Sequence, residues 1–490
     1  MRDLNEIPNG EKSPYSKRRL FSTSFLWAVI ITSGVGALLG TQIYHPAKRV
    51  IEAVVGFILL FILWSFSTLN ALWLLILIHP FPFAISLGNS NFIFTIVIFI
   101  IYIIRISAHK STFHSDKLVN LPIILLVLAY LVSFYNLNFS SKSITRFAFI
   151  HTSNFFAVIL FFYLVVNFID EEWKLKRTLH ILMITVTFVI IFNLLELLFP
   201  GKQIIPGWLY SRHQVGLVMK GLRMQGPFHD FELNAEFFAL MTPIIFYVLI
   251  RTKRLLTRTI YAVLLLVNFF MMLTTITRGA FFSLSVGLLY MAYISRKELN
   301  FVRLIALTTT FVVLVLVLEF FVTKYTVSGS LFQRIVNTTF EKGLVPKNRA
   351  FAWGGAIERG MEHPFIGHGP GWDFSKALVA KLWPHNVYLY YFNITGLFGL
   401  SAFLLLLYRL FKSSLVSVNA SLTRSSFSMG FMKVMHVVLI IFIIDQIKID
   451  YLRNEIYIYS VWLLFGLLVA TKNIIARQQS EQSKQQAVAP

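Results

Sequence analysis

Two short segments concentrate the residues that could do chemistry. The run from Asn348 to Gly371 holds Arg349, Trp353, Arg359, His363 and the turn Gly367-His-Gly-Pro-Gly371, and Pro384-His385-Asn386 follows shortly after. Arginine presents a planar fork of donors that matches phosphate oxygens. Histidine titrates near neutrality and can take a proton from an attacking hydroxyl. A glycine-rich turn such as Gly367 to Gly371 can aim backbone amides at a phosphate, with Gly369 and Gly371 as the permissive positions. The alternatives are a structural loop histidine and an ordinary turn. Asn386 is placed to cap the helix that follows His385. Asn348 is placed to cap a short helix on which Trp353, Ile357 and Gly360 form a stripe suited to a membrane surface.

Two further segments carry charge next to apolar runs. Thr274-Thr-Ile-Thr-Arg278-Gly-Ala280 puts an arginine between two closely spaced apolar stretches, where a charge is costly and by default either functional or snorkelling to headgroups. Gly279 is expected to permit the tight reversal. Upstream, Arg223 precedes the Gly226-Pro227 turn and the polar run His229, Asp230, Glu232, Asn234. Arg223 is a second candidate phosphate ligand. Asp230 and Glu232 offer oxygen ligands for a divalent cation, or Asp230 caps the next helix.

These segments must be positioned by a membrane scaffold. Of 490 residues, 57% are hydrophobic and 13% charged, outside the balance of soluble domains. Apolar stretches long enough to span about 30 Å of hydrocarbon recur about fourteen times. They fall near 21–44, 53–68, 71–88, 91–106, 119–137, 147–168, 178–199, 232–250, 259–276, 279–294, 301–323, 386–411, 431–447 and 455–472. The break inside 53–88 is slight, so one helix or two fit there. The expected organisation is an all-α polytopic membrane protein, with a basic cytoplasmic tail at 1–20, one transmembrane catalytic domain at 21–472 and a disordered cytoplasmic tail at 473–490. The first apolar stretch is too long for a signal-peptide core and is expected to be retained.

Basic clusters at Lys17 to Arg19, Lys174 to Arg177, Arg251 to Arg258 and Arg296-Lys297 mark cytoplasmic loops. The two longest connections, 200–231 and 324–385, then both face outward. They too are rich in Lys and Arg, which suits an anionic ligand such as a phosphorylated lipid headgroup, or contact with anionic lipid. The net charge of +22 is spread over membrane loops rather than along a soluble stripe, which disfavours nucleic acid. With no cysteine, there is no disulfide, thiolate metal site or thiol nucleophile.

Taken in order, Thr277-Arg278-Gly279, Arg349-x-x-x-Trp353, His363-Pro-Phe-Ile-Gly-His-Gly-Pro-Gly371, His385-Asn386-x-x-Leu389 and Gly396-Leu-Phe-Gly399 resemble the bacterial O-antigen ligase and O-antigen polymerase superfamily. The resemblance covers about 220–400 and differs at Thr277, where serine is more usual, and in the polar run 229–234. It implies a GT-C-like fold in the bacterial inner membrane, with both termini cytoplasmic and the site facing outward. It implies inverting transfer of a glycan from an undecaprenyl-diphosphate donor, with no metal and no cofactor. Arg278, Arg223 and Arg349 would bind the diphosphate, and His385 would orient or deprotonate the acceptor hydroxyl. The acceptor separates a ligase, acting on lipid A core, from a polymerase or a protein glycosylating enzyme; the residues lean slightly to the ligase. An anion transporter is the reading from a different class, disfavoured because no pair of inverted, broken helices stands out.

Overall fold

In hydrocarbon a chain satisfies its own backbone polar groups by coiling into helices or closing a barrel, and this chain takes the first course. The computed structural model describes residues 67–82, 84–85, 88–108, 113, 116–137, 142–199, 223–296, 313, 315–324, 330–337, 347–370 and 384–488. The expected spans at 21–44, nearly all of 53–68 and much of 301–323 lie outside the described residues, as does Gly371.

The unit beginning at Thr68 contains α1 (Thr68–Ile78), α2 (Ser90–Ser107), α3 (Lys117–Ser133), α4 (Lys142–Phe168), α5 (Glu172–Leu198), α6 (Phe231–Arg251) and α7 (Leu255–Thr274). It continues with α8 (Arg278–Ile294), α9 (Leu331–Ile335), α10 (Lys347–Gly360), α11 (Val387–Ser414), α12 (Phe427–Asp445) and α13 (Tyr457–Val488). Among the described residues nine helices, α2 to α7 and α11 to α13, are long and apolar enough to cross a membrane, while α1 and α8 are apolar but shorter. The chain is a polytopic, helical membrane protein.

Two expected boundaries are corrected. The stretch 71–88 is not one span: α1 stops at Ile78, ahead of Pro80, and β1 (Ala84–Ile85) pairs antiparallel with β2 (Gly88–Asn89). Residues 473–488, expected in a disordered tail, instead continue α13 as helix to Val488, with most side chains from Ala476 to Gln486 exposed. The Gln, Glu, Lys and Ala residues of this stretch are good helix formers and extend a helix already nucleated in the core.

Helices α6 and α13 are the most enclosed. Fully buried Trp462 on α13 meets Phe155 and Phe162 of α4 edge-on, a favoured aromatic geometry. Helix α13 packs on α4 and α12, α6 on α7 and α12, and α11 on α3. Polar caps fix where the key helices start. Asp230 accepts from the amides of Glu232 and Leu233 at 2.8 and 3.1 Å to open α6, and Asn386 accepts from Tyr388 and Leu389 at 2.9 and 3.1 Å to open α11.

Helix α11 is broken at Gly396 (φ 66°, ψ −166°). The break frees backbone groups deep in the bundle, where leaving them unpaired is costly. The segment 364–369 takes them up: the amides of His368 and Gly369 donate to the carbonyls of Asn393 and Ile394 at 2.8 and 3.0 Å. In return, Leu397 and Phe398 donate to Pro364 and Phe365 at 2.7 and 3.1 Å. The segment thus acts as a strap along the broken helix.

Candidate functional site

One end of the bundle collects the start of α6, the start of α8, helix α10, the start of α11 and the connection from α12 to α13. That connection is locked to α11: the Val387 amide donates to the carbonyls of Gln446 and Ile449, each at 3.1 Å, and Asn386 Nδ2 donates to the Ile447 carbonyl at 3.1 Å. Below it, Gln446 Nε2 donates to buried Glu236 Oε1 at 2.6 Å.

Glu232, in the first turn of α6, is the hub. Arg349 Nη2 of α10 lies 2.7 Å from its Oε1, while His385 Nδ1 lies 3.1 Å from its Oε2. Arg453 Nη2 reaches the same Oε2 at 3.0 Å and Asp230 Oδ1 at 2.7 Å. Arg349 and His385, expected to share a site, therefore hold opposite oxygens of one carboxylate. Burial opposes the Arg453 charge, yet Asp230 and Glu232 together hold its pKa above an arginine's ordinary value. Asp230 and Glu232, read from the sequence as possible cation ligands, direct their oxygens to guanidinium and imidazole groups.

His385 Nδ1 is also contacted by Arg453 Nη1. The two partners require different tautomers: a guanidinium donates to a bare Nδ1, whereas a carboxylate accepts from Nδ1–H. The second arrangement leaves Nε2 unprotonated. The His385 backbone is left-handed (φ 46°), uncommon for a non-glycine residue, and the side chain is 36% exposed, so the ring is both tethered and accessible.

Arg278 is the first residue of α8. The preceding reversal is not made by Gly279, contrary to expectation. It is made by Ile276, held at φ 50°, which is strained for a β-branched residue. Arg223 supports it: Nε donates to the Thr275 carbonyl at 2.7 Å, and Nη2 to the Ile276 carbonyl and Thr277 Oγ1 at 3.1 and 2.9 Å. The Arg223 guanidinium also lies 3.4 Å from the centre of the Phe231 ring and is buried. Arg223 thus braces the turn that presents Arg278, rather than reaching outward as a phosphate ligand.

The glycine-turn expectation is also corrected. The amides of Gly367, His368 and Gly369 donate to the carbonyls of His363, Asn393 and Ile394, and Pro370 has none, so these amides do not cradle a phosphate. On α10 the packed face is Ala352, Ala356 and Gly360. The Gly360 position lies against the Phe392 ring, while Ile357 is half exposed. Trp353 instead donates through Nε1 to the Pro384 carbonyl at 2.8 Å, tying α10 to the residue before His385.

Sequence reasoning passed over Arg453 and Lys448. Their signal was the polar run Asp445 to Glu455 between two apolar stretches, on the same side as the long loops by parity of the spans. No protein-family model matches the chain, and a search of curated proteins finds no match.

Proposed function

We propose that this protein is a membrane glycosyltransferase of the O-antigen ligase and polymerase type. It moves a glycan from undecaprenyl diphosphate to an acceptor hydroxyl on the outer face of the bacterial inner membrane, with ligation to lipid A core the favoured form. The observation that carries the reading is the convergence of Arg349 and His385 on Glu232, at the end of the bundle where Arg278 opens α8. A cationic rim next to an oriented imidazole suits a reaction with an anionic leaving group and a hydroxyl nucleophile.

In this mechanism Glu232 accepts a hydrogen bond from His385 Nδ1–H, and bare Nε2 takes the proton of the acceptor hydroxyl as its oxygen attacks the anomeric carbon. The bond from that carbon to the diphosphate oxygen breaks, with inversion. The departing charge is met by Arg278, with Arg349 at the edge, through bonds that strengthen as charge develops. No protonation of the diphosphate is needed.

A lateral groove suits the polyprenyl tail. It encloses about 560 Å³ between α11 and the end of α12, and is lined by Tyr388, Leu404, Tyr408, Phe411, Ile443 and Ile447. Its Tyr388 and Ile447 end adjoins Asn386, next to His385. The other end of the bundle carries Lys174, Lys176, Arg251, Lys253 and Arg254, which supports an inward-facing assignment for that end. On this reading the spans take a GT-C-like arrangement, with cytoplasmic termini. The broken helix α11 would suit a transporter, but its freed backbone groups are paired with the strap instead of lining a cavity.

The test is sugar transfer from a lipid-diphosphate donor by the full chain in nanodiscs. Loss of turnover in His385→Ala is expected; full turnover would rule out His385 as the base. In cells lacking the protein, unligated polymer should accumulate, whereas lipid-linked single repeats would make it a polymerase.

A further inference from the structure

Lys448 lies in the connection from α12 to α13, in a stretch that no motif marks. Its stem crosses α8 at Gly279: a Cβ there would sit 3.3 Å from Lys448 Cδ and 3.5 Å from Asp445 Oδ1. Its ammonium rests 4.7 Å from the centre of the Phe282 ring, itself half exposed and one turn along the helix that Arg278 opens. Such contact restrains the stem and stabilises the charge modestly.

The basic groups of this end differ in how their charge is met. Arg453 and Arg349 are paired with Asp230 and Glu232. Among the described residues no carboxylate lies within ion-pair distance of Lys448 Nζ; Asp445 Oδ1 is instead approached by Ser283 Oγ at 3.3 Å. Burial lowers the Lys448 pKa; Asp445 opposes that shift, while Arg278 and Arg349 add to it. A half-buried ammonium with no carboxylate in ion-pair reach is a charge that an anion would satisfy.

We infer that Lys448 is a direct ligand of the substrate's phosphate group, gripping it as a point charge beside the fork of Arg278. The inference rests on the proposed glycan transfer and adds a residue to its phosphate site. A diphosphate has oxygens enough for both cations, and Gly279 is what lets the lysine stem come this close to α8.

The experiment titrates the full chain, in nanodiscs of zwitterionic phospholipid, with undecaprenyl diphosphate. Lys448→Ala should weaken binding about tenfold, the loss of one charge-assisted contact, and Lys448→Arg should stay within about threefold of wild type. Undecaprenol, which has the tail without the phosphates, should bind wild type and Lys448→Ala equally. Equal affinity of Lys448→Ala and wild type for the diphosphate overturns the inference and leaves the proposed transfer standing, since wild type still binds donor. A parallel loss of undecaprenol binding also overturns it, by showing that Lys448 acts through the fold. Wild type that binds no lipid diphosphate brings down both.

Discussion

Glu232 Oε2 faces His385 Nδ1 at 3.1 Å, although 153 residues separate them in the chain. A carboxylate on one imidazole nitrogen fixes the tautomer and leaves the other nitrogen to accept a proton. Glu232→Gln keeps the shape but removes the charge that selects this tautomer. It should lower kcat by about 100-fold with little change in KM, the pattern of a lost transition-state contribution. Turnover of the variant at the wild-type rate would show that Glu232 does not position His385.

Arg453 joins Asp230 and Glu232 across 223 and 221 residues and is 12% exposed. Removing one member of a buried charged pair leaves the other uncompensated, at about 3–5 kcal/mol. Arg453→Met should therefore lower the unfolding temperature markedly in detergent. Adding Glu232→Gln should recover part of the loss, because the two residues share one network and their effects do not add. Strict additivity in the double variant would mean that Arg453 stabilises the protein through some other contact.

Local signals in the sequence carried most of the helices and two of the caps, Asp230 and Asn386, because hydrophobic length and N-cap chemistry are properties of neighbouring residues. Arg278 fell at a helix start for the same reason. The site's wiring was not local. Nothing near Arg223 says that its donors go to the turn 52 to 54 residues away. The glycine-rich turn was misread because the break in α11 at Gly396 claims the amides of His368 and Gly369, and such a break is visible only once the two backbones meet.

That meeting of backbones gives the next expectation. A Cβ on Gly396 would lie 2.3 Å from the Phe365 carbonyl carbon and oxygen, and one on Gly367 would lie 2.4 Å from the Ile394 carbonyl carbon. Both residues also have φ near +70°, at 66° and 70°, where a side chain is strained. Gly396→Ala and Gly367→Ala should each abolish monodisperse protein on size exclusion. Gly354→Ala on α10, with nothing within 4 Å of the added carbon, should be tolerated and gain about 0.5–1 kcal/mol. A stable, monodisperse Gly396→Ala protein would show that the strap does not depend on close backbone contact.

The strap also carries a pH dependence. His368 Nε2 is 2.9 Å from the Arg359 carbonyl, at the end of α10. Burial pulls the pKa of His368 below 6.5; the Arg359 carbonyl opposes that shift, His363 adds to it, and the Glu362 carboxylate, 3.9 Å away but 45% exposed, does not reverse it. The folded protein therefore holds a neutral ring where the unfolded chain binds a proton. Between the lowered value and 6.5 the unfolded state carries more protons, so stability rises with pH; it is fully present above 6.5 and lost as pH falls through the folded value. Unfolding temperatures measured from pH 7.5 down to pH 5 should fall, and His368→Gln, which cannot titrate, should flatten that slope. An identical slope in the variant would assign the acid sensitivity to another group.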